Sequence, residues 1–197
     1  MSRKAIEVAS ETQNIYIPRI TEVYEPRNPP ASMLYPESSL IPVPPNMNTK
    51  NRPRIAVLEG DPVDVAISWS QCNGDGLIPV VNMANEDRPG GDWELGLIAP
   101  EECLARRSNL VRALPNNWKP NSKEHYPIPQ NGGLYSPSVG THRDLALSLH
   151  RLFTIAVFYR SGPEKYEVWG KAKVVPVISV APLRWPKLDK SESRYFV

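Results

Sequence analysis

The sequence has little of what marks several large classes of protein. Its two cysteines, Cys72 and Cys103, cannot build a disulfide framework and lack the paired spacing of a zinc site. Its three histidines, His125, His142 and His150, make no HExxH-type pattern, so no metal is expected. No apolar run approaches the ~18 residues of a membrane span, and the opening MSRKAIEVASETQN has no apolar stretch of the secretory kind. There is no Asn-x-Ser/Thr acceptor. An excess of charge is missing too: 23 Lys and Arg stand against 21 Asp and Glu, a net charge of +2. That balance predicts a mixed solvated surface, with no direct nucleic-acid partner and no membrane partner. The expectation is an intracellular chain, cytoplasmic or nuclear, whose cysteines are reduced and mostly buried.

Proline is present in plenty. The 22 prolines in 197 residues are about twice the usual ~5 % share, and nine fall in 16–53. Pro29-Pro30 and Pro42-Val43-Pro44-Pro45 favour polyproline II, so 16–53 reads as an extended arm or linker; docking to a proline-recognising domain is the other reading. Before it, 1–15 reads as a helix over 3–14 with Ala5, Ile6, Val8 and Ala9 on its apolar side. After it, 54–197 reads as the folded domain. RIAVL at 54–58 reads as a strand. Asp61 then caps a helix with Pro62 at its first position, running to about residue 71. Residues 78–83 follow as a central strand, completing a parallel strand–helix–strand unit. Later strands are expected at 152–159, at 166–169 pairing back as a hairpin, and at 173–181, where Pro176 implies a bulge or an edge.

The stretch 78–111 carries the chemistry. Asn82 stands at the end of its strand, where an open α/β sheet places ligand contacts. In Pro89-Gly90-Gly91 two residues without Cβ let backbone N–H groups approach an anion. Pro100 suits the first turn of a helix running to Leu114-Pro115, and Glu101 and Glu102 fall in that turn. Cys103, Leu104, Leu110, Val111 and Leu114 would share its apolar face. Each feature also has a plainer reading. Paired glutamates behind a helix-initial proline are often surface residues, and a Gly-Gly pair is often only a turn. Their combination favours a site.

Residues 80–110 resemble, without a gap, the signature of the microbial-type poly(ADP-ribose) glycohydrolases, a branch of the macrodomains. The family pattern is a strand ending Asn-Phe-Ala, then Pro-Gly-Gly-Gly, a spacer, Gln-Glu-Glu and a helix containing Arg-Ser. Here these are Asn82-Met83-Ala84, Pro89-Gly90-Gly91-Asp92, Trp93 onward, Pro100-Glu101-Glu102 and Arg107-Ser108. Asp92 replaces the third glycine and Pro100 the glutamine. Tyr135-Ser136-Pro137-Ser138-Val139 resembles the family's Tyr-Ser-Pro-x-Val segment, and His142-Arg143-Asp144 stands where the family has Phe-Arg-Asp. Val177-Ile178-Ser179-Val180-Ala181 resembles its Val-Ile-Thr/Ser-x-Ala strand.

The resemblance implies an α/β, three-layer macrodomain-like fold with a mixed sheet between helices. It implies that the chain covers the front part of that domain, short of a second glycine-rich loop. By position, Glu102 would be the catalytic acid and then base, and Glu101 its partner at the ribose hydroxyls. Asn82, Gly90, Gly91, Asp92, Trp93 and His142 would line the ligand, His142 in place of a phenylalanine that packs on the ribose. The implied ligand is ADP-ribose or poly(ADP-ribose) on modified proteins, with no cofactor. Three functions remain in play: a glycohydrolase acting on ribose–ribose O-glycosidic bonds, a non-catalytic ADP-ribose-binding module, or an inactive fragment.

Overall fold

A computed structural model of the chain describes residues 2–23, 32–37, 55–72, 76–114, 125–136, 155–160, 167–182, 188–189 and 194–195. Helix α1 (Arg3–Glu11) buries Ala5, Val8 and Ala9 of the expected apolar side, whereas Ile6 is exposed. The helical path does not stop at residue 14: a wider π turn (Thr12–Tyr16) leads into α2 (Ile17–Val23). Pro18, which has no N–H for a helical ladder, comes just after the end of that wider turn. Strand β1 (Met33–Tyr35) then joins the main sheet. For these residues the extended-arm reading is corrected, since 17–23 is helix and 33–35 is sheet.

The main sheet holds four strands in the order β1, β3 (Gly133–Ser136), β6 (Val177–Val180), β2 (Val80–Met83). β1 and β3 run antiparallel, β3 and β6 antiparallel, and β6 and β2 parallel, so the sheet is mixed as expected. β2 pairs Asn82 with Ser179 and Met83 with Val180. Among the described residues β2 lies at the sheet's edge, not at its centre. The expected strand at 54–58 is not formed: described residues 55–59 are irregular, with Ile55 92 % and Val57 97 % exposed. The parallel partner of β2 therefore comes from β6, nearly a hundred residues later. A five-residue apolar run becomes a strand only when an edge receives it, and its composition cannot name that edge.

Helix α3 (Pro62–Cys72) begins as expected. The Asp61 carboxylate accepts from the N–H groups of Val63 and Asp64, both at 3.0 Å, satisfying two donors that the first turn leaves free. The helix read over 100–114 is broken into α4 (Pro100–Arg106) and α5 (Leu110–Ala113). Ser108 causes the break locally. Its hydroxyl donates to the Leu104 carbonyl (2.6 Å) and accepts from the Leu110 N–H (3.3 Å), replacing backbone bonds. The break also divides the supposed single apolar face. Leu104, Leu110 and Leu114 pack with Val63, Ile67, Val80, Leu134 and Val177, whereas Val111 joins Ala9, Trp93 and Ala105. Cys103 is only half-buried and Cys72 is exposed, correcting the expectation that both are mostly buried.

The hairpin forms as β4 (Ile155–Arg160) against β5 (Glu167–Val175). The run read as one strand over 173–181 is two strands in two sheets, divided at Pro176. Proline has no N–H for a ladder, so it fits the junction, while its carbonyl accepts from the Val80 N–H at 2.9 Å. β6 beyond it is an interior strand with Val177 fully buried. A short pair, β7 (Leu188–Asp189) with β8 (Arg194–Tyr195), forms a separate two-stranded sheet. In the described residues, α3, α4 and α5 share one core with Val80, Leu134 and Val177. Val81 and Met83, which alternate to the opposite face, are exposed. No helix of the described residues is long and apolar enough to cross a membrane.

Candidate functional site: a carboxylate pair under a glycine turn

The parallel β2–β6 ladder carries Asn82 to the core side of the sheet, where it is 2 % exposed. Its amide nitrogen donates to Ser179 Oγ (3.1 Å) and faces Glu101 Oε1 (3.4 Å). Its Oδ1 is buried and finds no partner among the described residues. An unmatched buried acceptor is costly and uncommon. It stands ready for a hydroxyl donor.

The chain then turns over α4. The Ala84 N–H remains in the ladder, donating to the Val180 carbonyl (2.8 Å). Asn85 Oδ1 accepts from the N–H groups of Asp87 (3.0 Å) and Arg88 (3.1 Å), an Asx turn that starts the loop. The Gly91 N–H closes it on the Arg88 carbonyl (3.0 Å). Gly90 and Gly91 have φ of +77° and +58°, a region L side chains rarely adopt. Space forbids side chains as well. A β-carbon on Gly90 would crowd Val111 and Trp93, and one on Gly91 would overlap the Glu102 carboxylate.

Glu101 and Glu102 are not surface residues, for they are 3 % and 9 % exposed. Glu101 is the anchor of the loop. Its Oε2 accepts from the Asn85 N–H (2.6 Å), and its Oε1 accepts from the Gly90 N–H (3.1 Å). Burial pushes the Glu101 carboxyl up from 4.5 to about 7; the hydrogen bonds from Asn85, Asn82 and Gly90 oppose this and the neighbouring Glu102 charge adds to it. Desolvation thus outweighs three donors. Glu102 Oε1 accepts from the Asp92 N–H (3.3 Å) and lies against Gly91. One carboxylate is gripped by the loop; the other lies under its glycine.

Asp92 turns its side chain outward. Its carboxylate pairs with Arg88, which also reaches Glu94 at 3.0 Å, all three half-exposed. The charge that replaces the third glycine is thereby matched by a cation four residues earlier. Trp93 is 5 % exposed and packs with Ala9, Ala105 and Val111, so its ring supports Gly90 from the core side. His142 lies outside the described residues.

Sequence reasoning missed four participants. Ser179 fixes the Asn82 amide across the parallel ladder. Asn85 supplies both a turn and a donor. Tyr126 is buried with a hydroxyl that finds no partner among the described residues, and its ionisation is pushed up by burial and then by the Glu101 charge. Arg106 is fully buried behind the loop. Only Ser179 had a signal, the resemblance of its strand. Among the described residues no group of three or more His, Cys, Asp or Glu could hold a metal ion.

A mixed sheet with helices, and a paired carboxylate closed over by a glycine turn, define a macrodomain-like α/β protein. The chain belongs to the microbial-type PARG catalytic-domain family, whose model matches residues 3–144, well over half of the sequence. Poly(ADP-ribose) glycohydrolase from Thermomonospora curvata superposes with a TM-score of 0.56 at 19 % identity, covering 91 % of this chain and 64 % of that one. The same enzyme bound to the inhibitor ADP-HPD gives 0.55 at 20 % identity, with 91 % and 63 % covered. A poly(ADP-ribose) glycohydrolase from Deinococcus radiodurans in complex with ADP-ribose gives 0.41 at 17 % identity, covering 61 % of this chain and 42 % of that one. This chain therefore spans less than two thirds of the length of these structures. No curated protein sequence matches it.

Proposed function

We propose that this chain binds ADP-ribose and acts as a glycohydrolase on the ribose–ribose O-glycosidic bonds of poly(ADP-ribose). The observation that carries the reading is the buried Glu101–Glu102 pair beneath the left-handed Gly90-Gly91 turn, with Asn82 Oδ1 unmatched beside it. Family membership supports the same chemistry.

Cleavage of such a bond needs an acid to protonate the leaving oxygen and a base to activate water at the oxocarbenium-like carbon. Glu102 fits that double role: one loop N–H holds Oε1, and among the described residues no hydrogen bond engages Oε2. Glu101 is committed to Asn85 and Gly90, so its part is to hold the loop and to meet ribose hydroxyls. Asn82 Oδ1 accepts a hydroxyl of the terminal ribose. Gly90 and Gly91 let ribose and phosphate approach the backbone, and the outward turn of Asp92 keeps its charge off the diphosphate. Trp93 acts through Gly90, and His142 is proposed to stack on the ribose.

A second reading, a non-catalytic ADP-ribose-binding module, is favoured by the Asp92 replacement of the third glycine. Turnover of poly(ADP-ribose) by the purified chain separates the two. Glu102→Gln should lower kcat at least a hundredfold with ADP-ribose affinity within a few-fold. Saturable ADP-ribose binding without turnover by the wild-type chain would leave the module reading in its place.

A further inference from the structure

Arg106 closes α4 one helical turn after Glu102, so both side chains leave the same face of the helix. Its side chain is fully buried, rare for arginine. Nη1 donates to the Trp93 carbonyl (3.0 Å), and Nη2 donates to the Leu97 carbonyl (2.5 Å), with Cys103 Sγ at 3.4 Å. The two carbonyls bracket the 3₁₀ turn Trp93–Leu95 and Gly96, which has φ of +74°. Trp93 directly follows Asp92, whose N–H holds Glu102. The guanidinium thus holds the chain two peptide units beyond the N–H that meets the carboxylate.

The same unit is tied from the N-terminus. The Thr12 hydroxyl donates to the Arg106 carbonyl, and the Ser2 N–H donates to the Gly96 carbonyl (3.3 Å). Ile6 and the Ser2 carbonyl fill the space a β-carbon on Gly96 would need. Cohesion alone does not call for this arginine, because burying a cation costs more than burying an apolar side chain of similar volume. What a guanidinium adds is a rigid fork that holds two acceptors at fixed spacing, which a lysine ammonium cannot copy.

We propose that Arg106 is a positioning residue for Glu102, acting through the Trp93 and Leu97 carbonyls to set the Asp92 N–H and hence the carboxylate under Gly91. The catalytic part of this inference rests on the function proposed above; the geometric part stands without it.

Amide hydrogen exchange in the full 197-residue chain, with Arg106→Met and Arg106→Lys, tests it. In a folded Arg106→Met chain the Asp92 amide should exchange at least tenfold faster, while the Ala84 amide in the β2–β6 ladder is unchanged. Arg106→Lys should fall between, since a single nitrogen cannot reproduce the spacing of the two Nη donors. In poly(ADP-ribose) turnover, kcat should fall about tenfold or more in Arg106→Met with KM within twofold. An unchanged Asp92 amide in folded Arg106→Met overturns the proposal, as does uniform acceleration of all amides, which is what a merely structural role gives. If Arg106→Met does not fold, the wild-type chain decides. Asp92 N–H and the Arg106 side-chain N–H groups exchanging through one opening, with one urea dependence, support the link; Asp92 exchanging through a smaller opening while Arg106 stays protected refutes it. A wild-type chain without turnover removes the proposed function, and the exchange experiment still judges the positioning.

Discussion

Replacing Glu101 by glutamine should change how stability depends on pH, not merely lower it. Burial holds the folded-state Glu101 carboxyl near 7, against 4.5 ordinarily. Below 4.5 both folded and unfolded chains keep the proton, and the group's contribution is fully present. As pH rises from 4.5 towards 7 the unfolded chain gives up the proton and the folded one retains it, so unfolding grows easier; above 7 the loss is complete. A gap of about 2.5 between 4.5 and about 7, at 1.36 kcal/mol per pH unit, is about 3 kcal/mol. Glutamine keeps the shape and cannot ionise, but its amide cannot accept from both the Asn85 and Gly90 N–H groups. That costs about 1–2 kcal/mol at every pH. Glu101→Gln should therefore be the weaker protein at pH 4 and the stronger, by about 1–2 kcal/mol, at pH 8. Urea unfolding followed by tryptophan fluorescence, which senses buried Trp93, gives both curves. Parallel curves across pH 4–8 would show that Glu101 ionises as freely in the fold as outside it, and the desolvation argument would fail.

Gly91→Ala combines a left-handed φ with overlap onto the Glu102 carboxylate; it should cost about 2–4 kcal/mol in urea unfolding and abolish ADP-ribose binding by the surviving folded chain. Arg107 is buried and pairs with Asp61 at 2.5 Å and Asp64 at 3.4 Å. Arg107→Met should therefore lower stability by about 3 kcal/mol by removing the buried cation between two part-buried carboxylates, seen as a shifted urea midpoint with an unchanged slope. Asp92→Gly removes only a half-exposed ion pair with Arg88, so stability should move by less than about 1 kcal/mol; a larger change in melting would mean that the pair organises the loop.

What the sequence reveals is set by distance along the chain. Asn82, the glycines and the two glutamates lie within twenty-one residues of one another, and Pro100 and Asp61-Pro62 mark their helix starts by local chemistry. The site's skeleton could therefore be read directly. Contacts that close over long separations could not. Pairing of β2 with β6 sets Ser179 beside Asn82. Entry of 33–35 into the sheet pairs a proline-rich segment with residues a hundred positions away. Arg106 and Arg107 look like ordinary polar residues of an amphipathic helix. Nothing nearby announces that one will be enclosed by loop carbonyls and the other by the first turn of α3. RIAVL misleads for the converse reason: it has a strand's composition, and 55–59 has no ladder. Pro176 suggests a bulge or an edge within one strand. Only the folded chain shows that it divides β5 from β6.

Calorimetric titration of ADP-ribose into the purified 197-residue chain tests most directly whether Asn82, the Gly90-Gly91 turn and the Glu101–Glu102 pair form a ligand site. A saturable micromolar isotherm, on the order of −8 kcal/mol, abolished by Gly91→Ala and nearly unchanged by Glu102→Gln, is the predicted result. The absence of binding heat, at several temperatures, from a chain that melts cooperatively would contradict it.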